Sequence, residues 1–239
     1  MKVEIFVRHC IASEISAHKK RFPGFSRELC HRNFLETLDE RRANVTYLLD
    51  TAKGKREDHF LEGAVVEIRE GSEAGSFLRL LDYVEGKKFA PETILYFVED
   101  DYLHRPRWLD VLCEAFTVPG VDYATLYDHK DKYFSPTYAD LTAKLFITPS
   151  CHWRTIPSTT HTFAVKYKTL MCDLAVHRRY SEGRKISADH EKFCHLGAQG
   201  KRLISPIPGW ATHVEPEFAS PCLDWESYFL KENLCLQNS

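Results

Sequence analysis

The sequence predicts an α/β fold: a central, mostly parallel sheet sandwiched between helices on both faces. Two observations predict it. Short apolar runs alternate with amphipathic helical patterns through the first 126 residues, the rhythm of a parallel sheet with right-handed crossovers. Ile94-Leu95-Tyr96-Phe97-Val98 is apolar throughout, as a central strand covered on both faces must be. With 239 residues, 44% of them hydrophobic, the chain is long enough to bury one extensive core. No repeat, low-complexity segment or linker divides it, so 1–239 reads as a single domain.

Each element follows from its local pattern. Val3 to Val7 is a first strand. Phe22-Pro23-Gly24 breaks the chain, and Ser26 caps a helix from about Arg27 to Leu38, with Leu29, Phe34, Leu35 and Leu38 inward. Val45 to Leu49 is a second strand ending at Asp50, and polar, basic Thr51 to His59 is a loop. Ala64 to Ile68 is a third strand. The loop Glu70 to Gly75 leads into a helix in which Phe77, Leu80, Leu81 and Val84 share one face. Ile94 to Val98 is the fourth strand. Pro106 opens a helix with Trp108, Leu109, Leu112, Ala115 and Phe116 on one side. Val121 to Leu126 is a fifth strand. Tyr127 to Ser158 shows no clear period. Thr160 to Val165 reads as a strand and Lys166 to His177 as a helix. Ser187 or Asp189 starts a short helix ending at Leu196. Lys201 to Ser205 is a late strand, Pro206 to Gly209 an irregular loop, and Leu223 to Leu230 a terminal helix.

Composition narrows the function classes. Fifteen Phe, 11 Tyr and 4 Trp are incompatible with a disordered chain, and a net charge of −2 argues against wrapping nucleic acid. No run of about 18 apolar residues predicts a transmembrane segment. The eight cysteines are dispersed without a C-x-x-C pair, which suits reduced, buried thiols in the cytoplasm. Cys151-His152 and Cys194-His195 are weak metal signals, and the sequon at Asn44 is discounted on a predicted strand. Met1 to Val7 is too short and charged for a signal peptide. Phe22, Phe25, Lys19, Lys20 and Arg21 suit either a peripheral membrane contact or a surface loop. No G-x-G-x-x-G follows the first strand, and no P-loop or G-x-S-x-G elbow occurs.

Parallel sheets bind ligands outside the carboxyl ends of their strands. That rule selects Arg8 to Cys10, Asp50, Arg69 and Glu99-Asp100-Asp101. Three consecutive acids repel one another, and a divalent cation such as Mn²⁺ or Mg²⁺ is the simplest offset. Arg8, Lys53, Lys55, Arg56 and Arg69 are placed for phosphate contacts.

Leu95-Tyr96-Phe97-Val98-Glu99-Asp100-Asp101, followed by Arg105-Pro106-Arg107-Trp108-Leu109, resembles the fourth strand and D-x-D-type motif of nucleotide-sugar-dependent glycosyltransferases with the GT-A fold, a Rossmann-type sandwich. The resemblance runs in order over most of the chain. Val3 to Val7 with Arg8 resembles the first donor-binding strand, and Asp50 the acid that contacts base or ribose. Ser72 to Ser76 resembles the loop and helix before the metal motif. The motif departs from the usual pattern: its first acid is Glu99, and Asp100 fills the variable position. The first-strand loop also lacks the Thr-Tyr/Phe-Asn pattern of family 2.

The resemblance implies a nucleotide-sugar-binding half, 1–126, and an acceptor-binding half, 127–239. It implies a metal held by Asp101 first, with Glu99 and His213, and donor contacts from Arg8, Asp50, Arg69 and Asp100. Asp189 at a helix start would be the general base of an inverting enzyme, with Glu191 as the alternative. Trp153, Thr159, Thr160 and Trp210 would meet the acceptor. The expected partners are a nucleoside diphosphate sugar and a glycan, lipid-linked or protein acceptor. Two other readings remain: a non-catalytic nucleotide-sugar or glycan-binding module, and a sugar-nucleotide nucleotidyltransferase. The latter usually carries a glycine-rich basic loop after the first strand, where this chain has Arg8-His9-Cys10-Ile11-Ala12.

Overall fold

The computed structural model describes residues 3–237, without the side chains of 14, 15 and 232–237. Met1, Lys2 and the Cys235 side chain lie outside the described part. The strands are β1 (Val3–Cys10), β2 (Ala43–Asp50), β3 (Val66–Ile68), β4 (Ile94–Glu99), β5 (Tyr102–His104), β6 (Tyr123–Ala124), β7 (Leu145–Ile147), β8 (His152–Thr155), β9 (Phe163–Lys166), β10 (Leu203–Ile207) and β11 (Ala211–His213). The helices are α1 (Glu14–Ala17), α2 (Arg27–Thr37), α3 (Glu73–Lys87), α4 (Trp108–Ala115), α5 (Asp131–Phe134), α6 (Tyr167–Arg179), α7 (Asp189–Ala198) and α8 (Trp225–Gln237).

Nine strands form one sheet in the order β3-β2-β1-β4-β9-β6-β10-β8-β7. Its first four strands are parallel, as the alternation predicts. Beyond them the sheet is mixed. β9 is antiparallel to both β4 and β6, β10 is parallel to β6, and β8 and β7 run antiparallel at the edge. The side chains of β1 and β4 alternate between two cores. Val3, Ile5, Val7, Ile94, Tyr96 and Val98 face α2 and α4, with Phe34, Trp108 and Leu112. Phe6, Leu95 and Phe97 face α3, α6 and α7, with Phe77, Leu80, Leu170 and Phe193. Burying each such large side chain stabilises the fold by roughly 1.5–3 kcal/mol.

Several local expectations shift. Ser26 caps α2 by accepting from the Leu29 amide at 3.1 Å, but Leu35 is 39% exposed rather than inward. β10 continues through Pro206 to Ile207, where an irregular loop is expected from the two prolines. The region without a period contains α5, β7 and β8, each too short to show one. The seven described cysteines are free, yet only Cys30 is fully buried, and Cys172 and Cys222 are exposed. Phe22 is buried against Phe229 in a third cluster with Leu103, Val214 and Trp225, so the proposed membrane-contacting patch loses its first aromatic. Among the described residues, no helix is long and apolar enough to cross a membrane.

β5 has no counterpart in the sequence reading. It pairs antiparallel with β11, setting His213 opposite Tyr102. Buried Asn33 on α2 holds it in place. Its side-chain oxygen accepts from the His104 amide at 2.7 Å, and its nitrogen donates to the His104 carbonyl at 3.2 Å.

Candidate active site

A pocket of about 920 Å³ opens at the carboxyl ends of β1, β2 and β4. Arg8, Asp50, Glu99, Asp100, Asp101, Thr160, Asp189 and His213 all line it, so eight separate sequence expectations meet in one cavity. Five others do not line it. Trp153 is fully buried in the core, its indole N–H donating to Thr148 Oγ1 at 3.0 Å. Thr159 is buried. Trp210 sits beneath the Arg105 guanidinium, 4.2 Å from the ring centroid. Arg69 and Glu191 are exposed outside the pocket. Glu191 follows Asp189 by two positions on α7, so helix rotation turns its side chain away from the pocket.

Each acid of the turn after β4 has its own arginine. Glu99 Oε1 meets Arg8 Nη2 at 3.4 Å. Asp100 Oδ2 meets Arg27 Nε at 3.0 Å and accepts from the Cys10 amide at 3.3 Å. Asp101 Oδ2 meets Arg21 Nη2 at 2.8 Å and His213 Nε2 at 2.9 Å. The Arg21 side chain is therefore mostly covered, held against Asp101. Burial pushes the Glu99 and Asp100 carboxyls up to about 6, with Arg8 and Arg27 opposing it. Burial acts the same way on Asp101, but His213 and Arg21 overcome it and hold that carboxyl well below the usual range. His213 also meets Glu215 through Nδ1 at 3.1 Å. Burial would lower its pKa, yet Asp101 and Glu215 carry it up to about 9.

Asp50 builds the opposite wall. Its carboxylate accepts from the amides of Ala52 at 3.0 Å, Glu70 at 3.2 Å and Gly71 at 2.8 Å. Gly71 has φ of +63°, a conformation that suits glycine. Asp50 therefore ties two strand-end loops together beside the cavity.

Asp189 begins α7 and lines the same pocket. His161 Nε2 and Lys192 Nζ both contact its Oδ1, each at 2.8 Å. Burial would raise the Asp189 carboxyl, but the charges of His161 and Lys192 keep it below its ordinary value. His161 also contacts Glu73 through Nδ1, and Glu73 reaches Arg8 at 3.0 Å. Glu73, Lys192, Arg21 and Arg27 are site residues that sequence reasoning missed. Their only local signal is charge near a helix start or in a loop, which describes many solvated residues equally well.

Among the described residues, no three of His, Cys, Asp and Glu converge to form a protein-only metal cage. Asp101 and His213 offer a smaller donor set. Their facing atoms lie 2.9 Å apart in the pocket, about the spacing of two adjacent ligands on one ion with bonds near 2.1 Å. In the structure those two atoms bond to each other and to Arg21, whose Nη2 donates to Asp101 Oδ2 at 2.8 Å, so a cation there would have to displace the arginine and the His213 proton. Glu99 engages Arg8 and Thr162 instead.

No family model and no curated protein matches the sequence. Among solved structures, the chain is similar over its whole length to CMP:2-keto-3-deoxy-manno-octonic acid synthetase complexed with CTP. The identity is 14%, the TM-score 0.51, and the match covers 100% of both chains. The chain shares that synthetase's fold. It also matches S. aureus TarS 1–349 at 13% identity and a TM-score of 0.49, over 86% of this chain and 58% of that one. A197 from STIV matches at 14% and 0.43, over 92% and 90%. Only the first is similar enough in shape to bear on the fold, a mixed α/β sandwich around a central, partly parallel sheet.

Proposed function

We propose that this protein is a glycosyltransferase that moves a sugar from a nucleoside diphosphate sugar to an acceptor hydroxyl, with inversion. One observation carries the reading: a single pocket holds the acidic turn and its cations near β4 and the Asp189 carboxylate at the start of α7. Transfer needs a charge-stabilised diphosphate and a base for the acceptor.

The donor's nucleoside lies against the strand-end wall built by Asp50, and its diphosphate points toward Arg27 and Lys19. Asp101 and His213 would hold Mn²⁺ or Mg²⁺, which when bound would supply positive charge to the diphosphate. His213 must release its ring proton for that role. Asp189 Oδ2 takes the acceptor's hydroxyl proton as the acceptor oxygen bonds to the anomeric carbon. The bond from that carbon to the phosphate oxygen breaks, and its electron pair leaves with the nucleoside diphosphate. Attack from the face opposite the leaving group inverts the centre. The acceptor is a glycan, a lipid-linked sugar or a protein hydroxyl.

Asp101→Asn should abolish Mn²⁺-dependent donor binding by calorimetry, and transfer with it. Unchanged binding would sink the metal assignment. Asp189→Asn should leave donor affinity nearly intact and lower turnover by roughly a hundredfold or more.

The whole-length likeness to a CTP-bound synthetase favours a second reading, nucleotidyl transfer to a sugar. Incubation with CTP and sugar acids would then release pyrophosphate, whereas a glycosyltransferase releases a nucleoside diphosphate from its donor. A binding module releases neither.

A further inference from the structure

A second cavity adjoins the first. It encloses about 430 Å³, and Lys132, Tyr133, Phe134, Tyr138 and Arg154 are in its lining. That volume is within the usual range of small-molecule sites. Two contacts join the cavities. Phe134 of the second stacks on Phe218 of the first, with centroids 6.3 Å apart. The row continues from Phe218 to His129 at 5.3 Å and from His129 to Tyr127 at 4.8 Å, both in the wall of the first pocket. Elsewhere, Tyr138 Oη lies 3.1 Å from Nδ1 of His190, the residue after Asp189.

Charges hold the rings of the second cavity. The Arg154 guanidinium lies 4.6 Å from the Tyr133 centroid, and the Lys132 ammonium 4.9 Å from that of Tyr138. Both cations are anchored by acids outside the lining. Arg154 Nη2 donates to Asp128 Oδ1 at 2.6 Å, and Lys132 Nζ to Asp131 Oδ1 at 3.1 Å. The Tyr133 hydroxyl donates to Asp128 as well, at 2.6 Å. A cation fixed against a ring fixes the ring. Even so, Tyr133 is 49% exposed and Phe134 53%. An ammonium carries three N–H donors and a guanidinium five, so one bond to an acid leaves donors unspent on both residues.

Open aromatic faces beside unspent donors match a sugar. A pyranose presents C–H groups on its faces and oxygens around its rim. The C–H face packs on an aromatic ring, and the oxygens accept from the donors. A lipid tail would leave the donors unmet. A peptide would bring N–H groups of its own to a lining that holds no acidic side chain.

We propose that the second cavity is a subsite for a further sugar of the acceptor, which makes the acceptor an oligosaccharide lying along the Tyr127-His129-Phe218-Phe134 row. This rests on the first pocket being the site of transfer. The reacting sugar sits beside Asp189, and the chain behind it crosses Phe218 to reach Tyr133.

The test uses the full chain, labelled and without donor, on an array of oligosaccharides from one to six units long. Wild type should bind at least one series, with affinity rising tenfold or more from the monosaccharide to the trisaccharide. Tyr133→Ala and Phe134→Ala change half-exposed positions, and each should remove most of that gain while the thermal midpoint stays unchanged. No glycan retained by wild type, or the same length dependence in both variants, overturns the subsite. Transfer to a peptide or lipid hydroxyl with no preference for added sugars overturns it too. Length-dependent glycan binding with no transfer from any nucleotide sugar would instead remove the transferase reading and leave the glycan site standing.

Discussion

Burial by itself would raise the Glu73 carboxyl, yet His161 and Arg8 beside it overcome that and hold it well below the usual carboxylate range. A carboxyl depressed in the folded state stabilises the fold above its unfolded pKa of about 4.3, and that stability drains away as pH falls below it. Glu73→Gln should therefore be less stable than wild type at pH 7. The gap should narrow from about pH 5 downward, as Glu73 of the unfolded wild-type chain takes up a proton that the folded chain still refuses. Urea unfolding at several pH values checks this, and a gap independent of pH would contradict it. The same residue shows what the sequence leaves hidden. A glutamate in the first turn of a helix reads as a partner of the helix dipole. Its real partners, Arg8 and His161, lie 65 and 88 residues away. Asp101 and Asp189 were legible because each sits in a local pattern, a strand-end acidic turn and a helix start. The cations that complete them come from loops with no pattern.

Element geometry decides which of those residues meet. β5 has only three residues and no apolar alternation, so its sequence looks like a continuation of the acidic turn. It is a strand because Asn33 satisfies both backbone groups of His104 and because β11 pairs along it. Asn33→Ala should leave the buried His104 amide without that partner and cost about 1–3 kcal/mol of stability. The β5–β11 register should loosen with it. Since that register brings Asp101 and His213 together, Mn²⁺ affinity measured by calorimetry should weaken in the same variant. Affinity unchanged in a destabilised Asn33→Ala protein would show that the pair is held from elsewhere. The long, strongly patterned elements were readable within a few residues: β1, β4, α3 and α4 carry the apolar faces that make the two cores. β7 was not, because three residues cannot display a period, and of the fifth strand expected at Val121 to Leu126 only Tyr123–Ala124 pairs.

Across the whole molecule, the donor and acceptor halves proposed from the sequence share one sheet. β9 comes from the second half, yet it is hydrogen-bonded to β4 of the first and to β6 beyond it. The parallel part of the sheet was legible through the strand–helix rhythm. The insertion of β9 was not, since an apolar strand pattern carries no record of its neighbours or direction. That insertion has a consequence for the chain during synthesis. Once Glu99 has emerged, β4 can pair with β1, but its other edge stays bare until Phe163 to Lys166 arrive. The waiting edge is apolar on both faces, the kind of surface that recruits strands from other molecules. A fragment ending at residue 126 should therefore self-associate on a sizing column rather than behave as a small nucleotide-binding module. The nascent chain faces the same hazard, and only the late return of β9 closes it.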